Sequence, residues 1–197
     1  QEYEVIGCVI LSASPFGKKV SFFHKARKTL YIFGIRFFLY YALRFIKQKL
    51  LNRSVISTLR DNKIPLIQLS ESINCQSSIK KIRDQEVDLL ISIQGNEIYK
   101  KEVLSIAPCL NLHTAPLPKY RGLFPTFWAI KNGEQHTAVS VFLVDEGIDS
   151  GPIVAQRSIS ISNMTLDGVI RKTKKLGMDA IVEAVVNLKN PMFNPRP

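Results

Sequence analysis

Short apolar runs of strand length alternate along this chain with segments of helical period, and that alternation limits the fold more than any other feature. EVIGCVILSA (4–13), IPLIQL (64–69) and VDLLISI (87–93) are the first three runs, each rich enough in apolar residues to be a strand covered on both faces. SSIKKIRDQ, between the last two, has helical spacing. KEVLSI then reads as a short helix, PCLNLH as a fourth strand, and PTFWAIKNG as a helix opened by Pro125 and closed by Gly133. TAVSVFLVD (137–145) and IVAQRSISI (153–161) form a further strand pair joined by an acidic, Gly-rich link, and a last helix runs from about Thr165 to Leu188. Strands interleaved with helices in this way predict a parallel α/β sheet. No repeat, low-complexity tract or Gly/Ser linker divides the 197 residues, so one domain over 1–197 is the simplest organisation.

Composition excludes several classes. With 46 % hydrophobic and 22 % charged residues the chain can build a substantial core, unlike a disordered or fibrous sequence. Cys8, Cys75 and Cys109 are odd in number, scattered and without metal-ligand spacing. Three buried, reduced thiols in a cytoplasmic protein are therefore expected, with no disulfide framework and no metal site. The sequence starts at Gln1 and its first apolar run has no secretory character, so no signal peptide is expected and part of the N-terminal sequence is expected to be missing.

The net charge of +11 has one source. Between Val5 and Asp61 there is no acidic residue but eleven basic ones; taking these from the 27 Lys and Arg leaves 16, which balance the 16 acids. The segment 18–60 is thus a basic, partly amphipathic helical stretch, with LYIFGIRFFLYYALRFIKQKLL (30–51) at its centre. Its longest uncharged run is about seven residues, against the ~20 that a membrane-spanning helix needs. Three roles stay open for it: an interfacial helix on an anionic membrane surface, a phosphate-binding arm for tRNA, or a helix packing Phe37, Phe38, Leu39, Tyr41 and Leu43 onto the domain.

Ligands of open α/β sheets bind beyond the carboxyl ends of the strands, and there the chain carries NLHTAPLPKYRG (111–122). Asn111 and His113, two apart on a strand, point to one face. DEGIDSGP (145–152), at another strand end, can add a carboxylate to the same mouth. An amide that donates to a carbonyl oxygen, an imidazole and a proton-accepting carboxylate form a set suited to acyl transfer. No Ser or Cys sits in a nucleophile-elbow context, so direct attack by a substrate amine is expected, without a covalent enzyme intermediate. Asn, His and Asp at loop ends also serve as turn and cap residues, and on the residues alone that alternative stays open.

The ordered motifs NLHTAPLPKYRG, PTFWAIKNGE and TAVSVFLVDEGIDSGPI, together with the surrounding stretch from about Asp88 to Ile161, resemble the folate-dependent formyltransferases. That family includes methionyl-tRNA formyltransferase, glycinamide ribonucleotide transformylase and the amino-sugar N-formyltransferases. The resemblance implies a Rossmann-like formyltransferase fold, a mostly parallel twisted sheet flanked by helices, with the first strand and helix expected to be lacking here. It places the catalytic residues at Asn111, His113 and Asp149, leaves Asp145 to shape its loop, and implies transfer of a formyl group from N10-formyltetrahydrofolate to a primary amine. The donor's pterin is then expected against Gly95, Asn96 and Ile98 on one side and Val144, Asp145, Gly147 and Ile148 on the other, with Gly95 allowing close approach. Pro116 and Pro118 stiffen the exit from the catalytic strand, and Tyr120 and Arg121 are candidates to meet the acceptor or its phosphate. Ala138 stands where the family commonly has Gly, and Thr114-Ala115-Pro116 departs from its usual run. An amino-sugar nucleotide or similar small phosphorylated amine is the expected acceptor; the alternatives are tRNA, with residues 18–60 as its binding arm, or a catalytically silent folate- or nucleotide-binding relative.

Overall fold

A sheet organises the second part of this chain, whereas the first part is mainly helical. The computed structural model describes residues 3–11, 21–51, 54–69, 71–95 and 97–197, and the chain divides into two units, Gln1–Gln85 and Glu86–Pro197. The ends 18–20 and 52–53 of pieces of the basic segment, and Asn96, lie outside the described residues.

The first unit holds α1 (Phe22–Leu50), α2 (Val55–Asp61) and α3 (Gln76–Arg83). Gly34, at φ 76° and ψ 172°, interrupts α1, so the helical phase restarts at Ile35. Leu39, Tyr41 and Leu43, expected to pack inward, are instead exposed. A reciprocal capping box starts α2, where the Ser54 hydroxyl oxygen accepts from Ser57 N–H and the Ser57 hydroxyl oxygen from Ser54 N–H, each at 3.0 Å. The runs 4–13 and 64–69 do not form strands among the described residues. They meet in one parallel bridge, Cys8 with Leu66, where Cys8 N–H donates to the Pro65 carbonyl at 2.9 Å and Ile67 N–H to the Cys8 carbonyl at 2.8 Å. Pro65 has no N–H to extend that ladder. The thiols also depart from expectation, since Cys109 alone is buried and Cys8 and Cys75 are half-buried. Cys75 sits in the polar cap of α3, where hydrogen bonds to Ser77 and Ser78, both at 3.1 Å, hold its thiol below the ordinary value.

The second unit runs β1 (Leu90–Ile93), α4 (Lys101–Leu104), β2 (Cys109–His113), α5 (Pro125–Lys131), β3 (His136–Leu143), β4 (Ile153–Ser160) and α6 (Leu166–Leu188). Its strands lie in the order β1-β2-β3-β4. The α/β class holds, and the sheet is mixed where a mostly parallel one was expected. Only β1 and β2 pair in parallel; β2 with β3 and β3 with β4 pair antiparallel. The link 144–152 contains no helix and is too short for the crossover of a dozen or more residues that a parallel β3–β4 pair would need.

The main core lies between sheet and α6, where Leu110 and Leu112 of β2 and Val139 and Val141 of β3 meet Ala180 and Ile181. Fully burying each of the large aliphatic side chains contributes ~1.5–3 kcal/mol. Strand alternation then leaves the opposite face of β2 to Asn111 and His113.

Candidate active site

His113 is 7 % exposed, and both of its ring nitrogens have partners. Nε2 lies 2.8 Å from the carbonyl oxygen of Tyr120; a carbonyl can only accept, so this nitrogen carries a proton. Nδ1 faces Asp149 Oδ2 at 3.3 Å, with the two side chains 8 % and 15 % exposed. The same Asp149 oxygen accepts the Gly122 N–H at 2.8 Å. Nδ1 is thus set against the carboxylate in a site shielded enough for the contact to matter. Asn111 is half-buried, one pleat earlier on the same face, opposite Ser92 of β1 and Phe142 of β3.

Asp149 arrives by a route that the sequence reading did not include. Because β3 runs antiparallel to β2, its last residue Leu143 pairs with Leu110 near the start of β2, and Val144 N–H donates to the Cys109 carbonyl at 2.7 Å. The link must therefore fold back over the sheet to bring Asp149 to His113. Two features hold the fold-back. A Cβ on Gly151 would press against the carbonyl oxygen of Leu143, so only glycine lets the chain close there. Asp145 Oδ1 accepts from Gly147 N–H at 3.0 Å and from the Ser150 hydroxyl at 2.7 Å, an engagement wholly inside the loop. Asp149 itself adopts a left-handed φ of 48°.

The exit from β2 is held by residues that sequence reasoning missed. Fully buried Ser140 donates to the Ala115 carbonyl at 2.6 Å and accepts from Leu117 N–H at 3.1 Å. Gln156 Nε2 donates to the Ser140 hydroxyl at 2.8 Å and to the Leu117 carbonyl at 3.1 Å. The available signal was a lone hydroxyl in the apolar stretch AVSVFLV. Ser140→Ala removes the hydroxyl shared by the Leu117 N–H, the Ala115 carbonyl and the Gln156 amide, leaves the Leu117 N–H only its 3.1 Å bond to the Ala115 carbonyl, and is expected to cost ~1–3 kcal/mol of stability. A lowered urea midpoint at unchanged m-value checks it.

The other candidates divide. Tyr120 presents its carbonyl to His113, while its hydroxyl donates to Glu134 at 2.7 Å and accepts from Asn132 at 3.2 Å; the Glu134 bond raises the phenol above its ordinary value. Arg121 is exposed. On the side where a Cβ of residue 95 would point, the chain itself fills the space, for that atom would lie 2.8 Å from the Ser92 hydroxyl and 3.1 Å from that of Tyr99. Ile98 and Ile148 are exposed, and Val144 is half-buried. Directly after Gly122, an apolar lip is also exposed: Leu123 and Phe124, and then Phe127 and Trp128 of the expected helix. Phe124 takes a left-handed φ of 56° before Pro125 opens α5, Phe127 and Trp128 stack edge to face at 5.3 Å, and Lys131 Nζ lies 4.7 Å from the Trp128 ring centre.

Known proteins share this fold. HypX from Aquifex aeolicus, solved in complex with tetrahydrofolic acid, superposes with a TM-score of 0.60 at 22 % identity, over 71 % of this chain and 25 % of that one. A sugar N-formyltransferase from Shewanella sp FDAARGOS_354 gives 0.59 at 21 % identity, over 71 % and 55 %. These identities establish the fold alone. A methionyl-tRNA formyltransferase of Thermodesulfovibrio yellowstonii is 35 % identical over 137 residues, which make up 68 % of this chain and 44 % of that protein, so the chain spans less than half of this relative. The sequence pattern described as Formyl transferase matches residues 47–185, a stretch that contains Asn111, His113 and Asp149. Since that match covers well over half of its length, the chain belongs to the formyl transferase family.

Proposed function

We propose that this chain moves a formyl group from N10-formyltetrahydrofolate to the primary amine of an amino-sugar nucleotide or a similar small phosphorylated amine. The observation that carries the reading is the convergence of Asp149 and His113, 3.3 Å apart, on the strand that presents Asn111. As the amine nitrogen bonds to the formyl carbon, negative charge builds on the formyl oxygen, where an Asn111 N–H and a His113 N–H donate. An oxygen gaining full charge outcompetes the neutral Tyr120 carbonyl for the Nε2 proton. The amine must also lose a proton, and the Asp149 carboxylate accepts it, directly or through one water. N10 then takes up that proton as its bond to the formyl carbon breaks, tetrahydrofolate leaves and the Asp149 carboxylate is restored. Cys109 takes no part as a nucleophile, because burial pushes its thiol up to about 12. Exposed Ile98 and Ile148, with Gly95, Val144, Asp145 and Gly147, are the proposed donor contacts. The aromatic lip supports a nucleotide or sugar acceptor, since Phe124, Phe127 and Trp128 offer flat apolar surface with Arg121 and Lys131 beside it for a phosphate.

A second reading, methionyl-tRNA as acceptor, is favoured by the 35 % identical relative. One assay separates the two: the purified chain is given the formyl donor with either amino-sugar nucleotides or methionyl-tRNA, and the formylated product is followed by mass. Formylated sugar nucleotide is the expected product. Formylated tRNA alone would establish the second reading, and a chain that neither binds nor consumes the donor would be a silent relative.

A further inference from the structure

Formyl transfer leaves α1 without a role, and its residues 22–46 precede the stretch that matches the family. From the restart of phase at Ile35, the residues Ile35, Leu39, Leu43, Ile46 and Leu50 recur at i, i+4, i+8, i+11 and i+15, which places them on one face of the helix. All five are exposed, at 57, 52, 67, 51 and 80 % respectively. Arg36, Tyr40, Arg44 and Lys47 repeat the same intervals one residue on and form the adjoining stripe. A row of aliphatic side chains facing water beside a row of cations marks an interaction surface.

Charge decides what covers it. No acidic residue occurs between Val5 and Asp61, so a second copy of this helix would set cations against cations with nothing in the segment to pair them. A nucleic acid would neutralise the basic stripe and leave the aliphatic row in water. An anionic bilayer surface satisfies both rows, with the headgroups meeting exposed Arg36 and Lys47 while the Leu and Ile side chains enter the acyl boundary. No helix among the described residues is long and apolar enough to cross a membrane, so the fitting geometry is a helix lying in the surface plane. The geometry points to α1 as a docking element that seats the protein on an anionic lipid surface, independently of which amine is formylated.

Flotation of the whole chain with vesicles tests this. Vesicles of equimolar phosphatidylcholine and phosphatidylglycerol are expected to carry the protein, and vesicles of phosphatidylcholine alone to carry far less. Arg36→Glu with Lys47→Glu should lower partitioning at least ~30-fold. Leu43→Asp with Ile46→Asp should lower it by a similar factor, at least ~30-fold, because the aliphatic row supplies the insertion. These four side chains are exposed, so unchanged circular dichroism and unfolding midpoint are expected alongside. Calorimetric titration of each variant with 5-formyltetrahydrofolate keeps the result separate from the donor site. Three outcomes would overturn the proposal: no flotation with the anionic vesicles, loss on charge reversal but none in Leu43→Asp with Ile46→Asp, or a solution dimer that the latter pair dissolves.

Discussion

Asp149→Asn lowers kcat/KM for formyl transfer at least ~100-fold while leaving the fold in place. The substitution isolates charge from shape. A carboxamide oxygen still accepts the Gly122 N–H that now bonds Asp149 Oδ2 at 2.8 Å, so the left-handed turn at residue 149 keeps its anchor. Lost are the carboxylate partner of His113 Nδ1, which stands 3.3 Å away, and the group proposed to take the amine proton. His113→Ala should fall in the same range, ~100-fold or more, through loss of an oxyanion donor. Steady-state rates with the unfolding midpoint measured in parallel check both. Wild-type rates in a folded Asp149→Asn protein would remove the carboxylate from the mechanism.

Gly151→Ala costs ~3 kcal/mol and takes activity with it. Its added methyl meets the Leu143 carbonyl, a backbone atom that is itself held in the sheet, where Leu143 N–H donates to the Pro152 carbonyl at 3.0 Å. Relief requires the 144–152 link to open, which withdraws Asp149 from His113. Gly147→Ala supplies the contrast. There the new methyl meets the Ser150 side chain, which can rotate at the loss of its hydrogen bond to Asp145, an expected cost of ~1 kcal/mol. Urea unfolding of the two variants ranks them, and equal midpoints would mean that the fold-back is not held at Gly151.

Much of this was legible without coordinates wherever the information is local. Pro125 and Gly133 bracket a helix observed at Pro125–Lys131, because a ring-locked φ starts a helix and a φ of 72° at Gly133 follows its end. Thr165 was placed at the start of a helix that ends at Leu188, and its side chain caps that helix by accepting the Gly168 N–H at 3.2 Å. The facing of Asn111 and His113 follows from the two-residue period of a strand and needs no partner to establish it.

What tertiary structure alone decided is everything that depends on a partner distant in sequence. The apolar runs 64–69 and 137–145 look equally strand-like, yet one makes a single bridge and the other a central strand, because Pro65 and the available neighbours settle the ladder. Strand direction leaves no mark in periodicity, so the antiparallel course of β3, and with it the fold-back that delivers Asp149, could not be read from TAVSVFLVDEGIDSGPI. Nor could the bond from Ser140 to Ala115, 25 residues back along the chain, or the chain's own filling of the space where a Cβ of residue 95 would point. By itself the sequence determined the local geometry of the elements that bear Asn111, His113 and Asp149, the groups proposed for the site. Their meeting within one shielded volume was decided by packing, since a hydrogen bond between distant residues exists only once the sheet and its returning loop have closed.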